Sequence, residues 1–176
     1  FYEVTYDDCG RIKEFTPKIK SLPARIKKRY VKDLNLAYYP RDWIIPHIQI
    51  IHDRITLEIM RGCPHRCRFC QARSQYFPLR YRQAPDLLGL AEELYRRSGY
   101  EEISLAGLSV SDHPQIEEIL KSLMAVFEGK AVSLSLPSVK ANILVGKLSA
   151  LIAKVKKTGL TFAPEAGSLR LRQIIG

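Results

Sequence analysis

Residues 61–71 read Arg61-Gly62-Cys63-Pro64-His65-Arg66-Cys67-Arg68-Phe69-Cys70-Gln71. Three of the four cysteines of the chain fall within this stretch. Three residues separate Cys63 from Cys67, and two separate Cys67 from Cys70. Such short spacings place three thiols on one tight loop, which makes this loop the first candidate for a metal site.

Three cysteines on one loop favour an iron–sulfur cluster over the other roles of clustered thiols. Each thiolate can reach a different iron of a four-iron, four-sulfur (4Fe-4S) cluster, which leaves the fourth iron free for a small molecule. A structural zinc ion takes four protein ligands, so His52 or His113 would have to be recruited from elsewhere in the chain. Inert thiols are the remaining alternative. We therefore predict that Cys63, Cys67 and Cys70 bind a 4Fe-4S cluster.

The sequence on both sides of this loop predicts an α/β fold. A strand pattern at 55–60 precedes the loop, and further strand patterns follow at 103–106, 131–136 and 160–163. Helical spacing of apolar residues predicts helices that begin at Pro85 and near Ile116, a third helix over 144–155, and a fourth that Ser168 caps. Alternation of strands and helices predicts parallel strands with crossover helices. Four such repeats predict a partial (β/α) TIM-type barrel with its site at the C-terminal ends of the strands.

The first part of the chain differs from the rest in its sequence pattern. Residues 1–16 alternate about the turn at 7–10, which predicts a hairpin with Cys9 as a bystander in its turn. Residues 17–50 are interrupted by four prolines and predict an extended connector. The chain does not begin with Met. We therefore expect 1–47 to be a hairpin and basic connector from a missing N-terminal domain, and 48–176 to be a barrel truncated at its C-terminus.

Charge is concentrated in the connector. Residues 11–32 contain nine Lys or Arg and one acid, out of a net charge of +10 for the 176 residues. Such a segment can bind RNA or another polyanion, although a solvated linker is the simpler interpretation. The apolar runs are short, and clustered thiols without an export signal predict a cytoplasmic protein without a membrane span.

The cysteine loop resembles the Cys-x-x-x-Cys-x-aromatic-Cys signature of the radical S-adenosylmethionine (SAM) superfamily, over a span of about 48–176. The resemblance implies that Cys63, Cys67 and Cys70 hold a 4Fe-4S cluster whose open iron binds SAM. It further implies that reductive cleavage of SAM gives a 5′-deoxyadenosyl radical, which abstracts hydrogen from a substrate that the sequence does not identify. Phe69 would lie against the adenine, or else pack under the loop. The cluster would draw electrons from a flavodoxin- or ferredoxin-type donor.

Two other strand ends carry the remaining SAM-binding candidates. The superfamily commonly has a Gly-Gly-Glu-like stretch after its second strand, whereas this chain has Gly107, Leu108 and Ser109 there. The resemblance implies SAM contacts from the Gly107 backbone and from Ser109, while Asp112 would cap the next helix. The segment at 165–168 resembles a Glu-Ala-Gly-Ser motif of several radical SAM subfamilies, which implies that Glu165 approaches SAM. Alternatively, Glu165 is a helix first-turn charge.

At a finer level, the runs at 15–20, 29–34 and 159–168 resemble an uncharacterised radical SAM family whose longer members have a cobalamin-binding-like domain ahead of the barrel. The resemblance implies cobalamin only in a domain outside this sequence. We expect a radical SAM enzyme core whose substrate is not identified, and the basic connector favours RNA or protein as the substrate class. The alternatives are a zinc-stabilised RNA-binding module without catalysis and an inactive barrel fragment. No catalytic residue besides the cofactor ligands can be named from the sequence.

Overall fold

A computed structural model describes residues 1–140 and 162–176 of the chain. These residues divide between two units, Phe1–Val31 and Lys32–Gly176. The predicted third helix at 144–155 and the first half of the predicted strand at 160–163 lie outside the described residues. Among the described helices, none combines the length and the apolar character that crossing a membrane requires.

The first unit is built on the predicted hairpin. Strands β1 (Tyr2–Tyr6) and β2 (Ile12–Pro17) pair antiparallel. The Asp7 carboxylate accepts hydrogen bonds from the backbone N–H groups of Cys9 and Arg11 at 2.9 and 2.8 Å. Aspartate commonly stabilises turns in this way. The structure confirms the hairpin, with Cys9 exposed in its turn.

The second unit contains the α/β part of the chain. Its strands are β3 (Ile55–Glu58), β4 (Met60–Arg61), β5 (Arg80–Tyr81), β6 (Glu102–Ala106) and β7 (Ser133–Ser135). Its helices are α1 (Ala72–Tyr76), α2 (Ala84–Ser98), a 3-10 turn at Val110–Asp112, α3 (Ile116–Val126) and α4 (Leu169–Ile175). Strands β3, β6 and β7 form a sheet in that order, and their pairing is parallel, as predicted.

Helices α2 and α3 bury their apolar faces in the core of this unit. In α2 the buried positions recur at helical spacing and are Ala84, Leu87, Leu90, Ala91 and Leu94. The helix ends at Gly99 in the left-handed conformation, with φ +70°, and the Gly99 N–H bonds to the Tyr95 carbonyl. Both crossover helices are confirmed close to their predicted bounds. Because each helix returns the chain to the start of the next parallel strand, the C-terminal ends of these strands lie at the same edge of the sheet.

The predicted strand over 55–60 is in fact divided at Ile59. The Ile59 N–H donates to the carbonyl of Ala106, at the end of β6, whereas the Ile59 carbonyl accepts from the N–H of Arg82. From Met60 the chain pairs antiparallel with β5 instead of continuing along β6. The sequence prediction missed β5 and α1, and with them the turn that directs the cysteine loop away from the sheet.

The segment at 32–47 packs onto the second unit and is not a bare connector. Leu34 is buried, and the Asn35 side-chain carbonyl accepts a hydrogen bond from the Gln83 N–H at 2.7 Å. The Tyr39 hydroxyl donates to the Thr56 carbonyl. Burial raises the pKa of Tyr39 to about 12. The two units therefore divide after Val31, ahead of the division at residue 47 that the prolines suggested, because these side chains find partners in the second unit.

Candidate functional site

The cysteine loop lines a cleft of about 650 Å³ in the second unit. Its walls come from the cysteine loop, from the loops after β6 and β7, and from the segment ahead of α4. The lining residues are Cys63, His65, Cys67, Phe69, Cys70, Leu108, Ser109, Ser135, Leu136, Pro137, Ser138, Val139, Lys140, Ala163 and Glu165. The cleft thus lies where the parallel strands β6 and β7 end, which is where α/β folds place their ligands.

The donor chemistry of this loop fits a cationic metal group. Burial raises the pKa of the Cys63 thiol above its ordinary value, and the neighbouring charges of Cys67, Asp112 and Cys70 raise it further. A hydrogen bond from the His65 backbone N–H acts in the opposite direction. Thiolates that raise one another's pKa gain stability from a shared cation, and N–H donors to sulfur tune the potential of iron–sulfur clusters.

The spacing of the cysteines is relevant to whether they bind one metal ion or several irons of a cluster. Within residues 1–140 and 162–176, no three His, Cys, Asp or Glu side chains are close enough together to hold one metal ion. Ligands that each bind a different iron are spread more widely than the ligands of a single ion. The Cys70 N–H hydrogen bond to the Cys67 carbonyl at 3.1 Å folds the two cysteines into one turn.

The aromatic residue of the loop faces the cleft. Phe69 lines it and is 58% exposed, so its ring does not pack under the loop. A large apolar ring exposed at the wall of a cleft is free to contact a ligand, and a flat aromatic base is one such ligand.

The two candidates after β6 occupy different environments. Ser109 is buried, lines the cleft, and its hydroxyl donates to the Asp112 carboxylate. Gly107 is not among the lining residues, and a Cβ at this position would lie 2.5 Å from Cγ of Met60. Gly107 is therefore required for close packing against Met60, and the structure places only Ser109 of this pair at the cleft.

The predicted helix-capping role of Asp112 is wrong. Helix α3 begins four residues later, and its N-terminal flanking residue is Gln115. Asp112 lies in the 3-10 turn, where its Oδ2 atom is 2.7 Å from Nε2 of His65. Asp112 thus lies in the 3-10 turn and not at the start of α3, and its carboxylate contacts the cysteine loop through His65.

Glu165 lines the cleft ahead of α4 and lies outside the first turn of that helix. The Ser168 hydroxyl caps α4 by accepting from the Leu171 N–H at 3.3 Å, as predicted. The alternative role of Glu165 as a first-turn charge is therefore not supported. Glu165 has a φ of +63°, a conformation uncommon for residues with a side chain and often found at functional sites.

The three arginines of the loop have separate roles. Arg61 donates two hydrogen bonds to the Glu58 carboxylate, at 2.7 and 2.6 Å, which fixes the start of the loop. Arg66 and Arg68 are exposed. The backbone N–H of Arg68 donates to the Ile175 carbonyl at 2.8 Å, so α4 contacts the loop.

The sequence prediction missed His65 and Lys140. Only 29% of the His65 side chain is exposed, and it lies between Asp112 and Lys140. Both contacts join residues far apart in the chain, so no local pattern could have indicated them.

Comparison with known proteins agrees with this geometry. The family model of the Radical SAM superfamily matches residues 57–176. An uncharacterized protein of Methanocaldococcus jannaschii, MJ0966, is 37% identical over 151 residues, which cover 86% of this chain and 32% of that protein. The chain thus spans about a third of the length of this relative. The superfamily match over residues 57–176 includes the cysteine loop, β6, β7 and α4. On this evidence the chain belongs to the radical SAM superfamily.

Proposed function

We propose that this chain is the core of a radical SAM enzyme in which Cys63, Cys67 and Cys70 hold a 4Fe-4S cluster. The observation that carries the proposal is the convergence of these three thiols on one cleft with Ser109 and Glu165, which come from two other parts of the fold. Membership of the superfamily favours a cluster over a zinc ion at this donor set.

When bound, the cluster and SAM supply a one-electron reductive cleavage and a carbon-centred radical that abstracts hydrogen. The residues of this chain bind and orient the cofactors. The exposed Phe69 ring offers an apolar surface for the adenine, and the Ser109 hydroxyl and Glu165 carboxylate offer polar contacts to the rest of SAM. The Gly107 backbone, which packs on Met60, would hold this wall of the cleft in place. The parallel strands with crossover helices support a (β/α) barrel as the complete fold.

A spectroscopic experiment tests this function. The chain is reconstituted anaerobically with iron and sulfide, reduced, and examined by electron paramagnetic resonance (EPR) with and without SAM. We expect a reduced four-iron signal that changes when SAM is added. In Glu165→Gln, the SAM concentration needed for this change should rise about five- to ten-fold, because a charge-assisted hydrogen bond is replaced by a neutral one of about half its strength. Glu128→Gln, which alters an exposed carboxylate after α3, should behave like the wild type.

The other outcomes separate the alternatives. Stoichiometric zinc uptake without a cluster signal would overturn the enzymatic proposal and favour the zinc-stabilised RNA-binding module. A cluster that forms but does not respond to SAM would favour the inactive barrel fragment.

For the substrate, the basic segment at 11–32 favours RNA over protein. Nine of its residues are Lys or Arg and one is acidic. Binding through such a segment releases counterions, so we expect the affinity for single-stranded RNA to fall steeply between about 50 and 200 mM salt. The measurement is a fluorescence-anisotropy titration at several salt concentrations. An affinity that is absent at low salt, or that does not depend on salt, would contradict an RNA substrate and leave a protein substrate.

The proposal also requires an electron donor. Arg66 and Arg68 are exposed beside the cysteines, and these cations would attract an acidic donor of the flavodoxin or ferredoxin type. Such donors, and the free thiols of the loop, suit a reducing compartment, so we propose the cytoplasm. The comparisons give no support to cobalamin, and its presence in a domain outside this sequence stays a prediction.

A further inference from the structure

His65 lies between the first two cysteines of the loop and joins two charged side chains. Its Nε2 atom is 2.7 Å from Oδ2 of Asp112, and its Nδ1 atom is 3.2 Å from Nζ of Lys140. An ammonium group can only donate hydrogen bonds, so Nδ1 must accept from Lys140. In the neutral imidazole the other nitrogen then carries the hydrogen, and Nε2 donates to Asp112.

These contacts join three loops that carry the walls of the cleft. His65 belongs to the cysteine loop, Asp112 to the 3-10 turn after β6, and Lys140 to the segment after β7. Asp112 also accepts a hydrogen bond from the hydroxyl of Ser109. The resulting chain of side chains, Lys140–His65–Asp112–Ser109, is called the cross-loop chain below.

The two partner loops are fixed to each other without His65. The Lys140 backbone N–H donates to the Ser111 hydroxyl at 3.0 Å, and the Val110 N–H donates to the Ser138 carbonyl at 3.2 Å. Ser111 and Val110 are buried. His65 thus ties the loop to a rigid base. The loop itself is largely exposed, and the residues Pro64, Arg66, Arg68, Phe69 and Cys70 all face solvent.

We propose that His65 is a positioning residue that fastens the cysteine loop to the ends of β6 and β7, and that it holds the Lys140 ammonium at the cleft that the three thiols also line. The first effect fixes the distance between the cysteine ligands and the Ser109 wall of the cleft. The second keeps a positive charge next to the cluster site, which favours the reduced, more negative state of a cluster. The second effect rests on the proposed function, whereas the first does not.

Hydrogen exchange in the cluster-free chain tests the fastening. In His65→Ala, the backbone amides of 63–70 should exchange about five- to thirty-fold faster than in the wild type, because two hydrogen bonds of typical strength are lost. His65→Gln should recover much of the protection, since its amide has one donor group and one acceptor. His47→Ala, which alters an exposed histidine of the same unit, should exchange like the wild type. Equal exchange in His65→Ala and the wild type would overturn the proposal.

A redox titration of the reconstituted chain, followed by EPR, tests the charge. The midpoint potential in His65→Ala and in Lys140→Met should shift to lower values, and in His65→Gln it should stay near that of the wild type. A purely structural role would leave the potential of Lys140→Met unchanged, and that result would overturn the electrostatic part. If the wild type itself forms no cluster, the proposed function fails, while the exchange experiment still decides whether His65 fastens the loop.

Discussion

A Cys67→Ala variant is expected to lose the cluster almost completely. Cys67 is the middle ligand of the loop, and the turn that joins it to Cys70 places both thiols on the same cleft. With two ligands left, one iron of the cluster would lack protein coordination in addition to the iron kept open for SAM. Changes in residues that merely support metal ligands already cost about 10- to 100-fold in affinity, so loss of a ligand should cost more. Iron and sulfide analysis after anaerobic reconstitution measures this directly.

The fourth cysteine provides the matched control. Cys9 is exposed in the hairpin turn of the first unit and is not among the residues that line the cleft. Cys9→Ala should therefore retain the iron content and the EPR signal of the wild type. If Cys67→Ala bound as much iron and sulfide as Cys9→Ala, the cysteine loop would not be the cluster site.

The features that local sequence predicted are those that depend on nearest neighbours. Apolar spacing predicted α2 and α3, because a helix returns to the same face every three or four residues. Ser168 marked the start of a helix, because the side-chain cap depends on a single residue. The spacing of the cysteines predicted that their thiols share one loop, and the structure places all three at one cleft.

The features that the sequence did not reveal depend on contacts between distant segments. The division of the first core strand at Ile59 arises because its N–H and carbonyl bond to different strands, and neither partner is visible in the local pattern. The segment at 32–47 has no regular period, yet it supplies the buried Leu34. The bonds of His65 to Asp112 and Lys140 form only after β6 and β7 bring their loops to the same edge.

Gly62, which immediately precedes Cys63, is the position at which the smallest substitution should have the largest effect on folding. Its φ is +103°, and a Cβ there would lie 2.9 Å from the Cα of Leu79 and 3.0 Å from the carbonyl oxygen of Tyr76. Both atoms belong to the backbone, so neither can move away as the end of a flexible side chain could. Backbone strain of about 1–3 kcal/mol and overpacking of about 1–3 kcal/mol together predict that Gly62→Ala lowers the free energy of unfolding by about 2–6 kcal/mol.

Urea unfolding of the cluster-free chain, followed by circular dichroism, measures this loss, which is a large part of the roughly 5–15 kcal/mol that stabilises a typical domain. Gly89→Ala is the control with the opposite expected sign. Gly89 is exposed in the interior of α2, and a Cβ there would meet no atom within 4 Å, so alanine should add about 0.5–1 kcal/mol through helix propensity. If both variants were as stable as the wild type or more so, the close approach of Gly62 to residues 76–79 would not exist in solution. The start of the cysteine loop would then be held by the Arg61–Glu58 ion pair instead of by backbone packing.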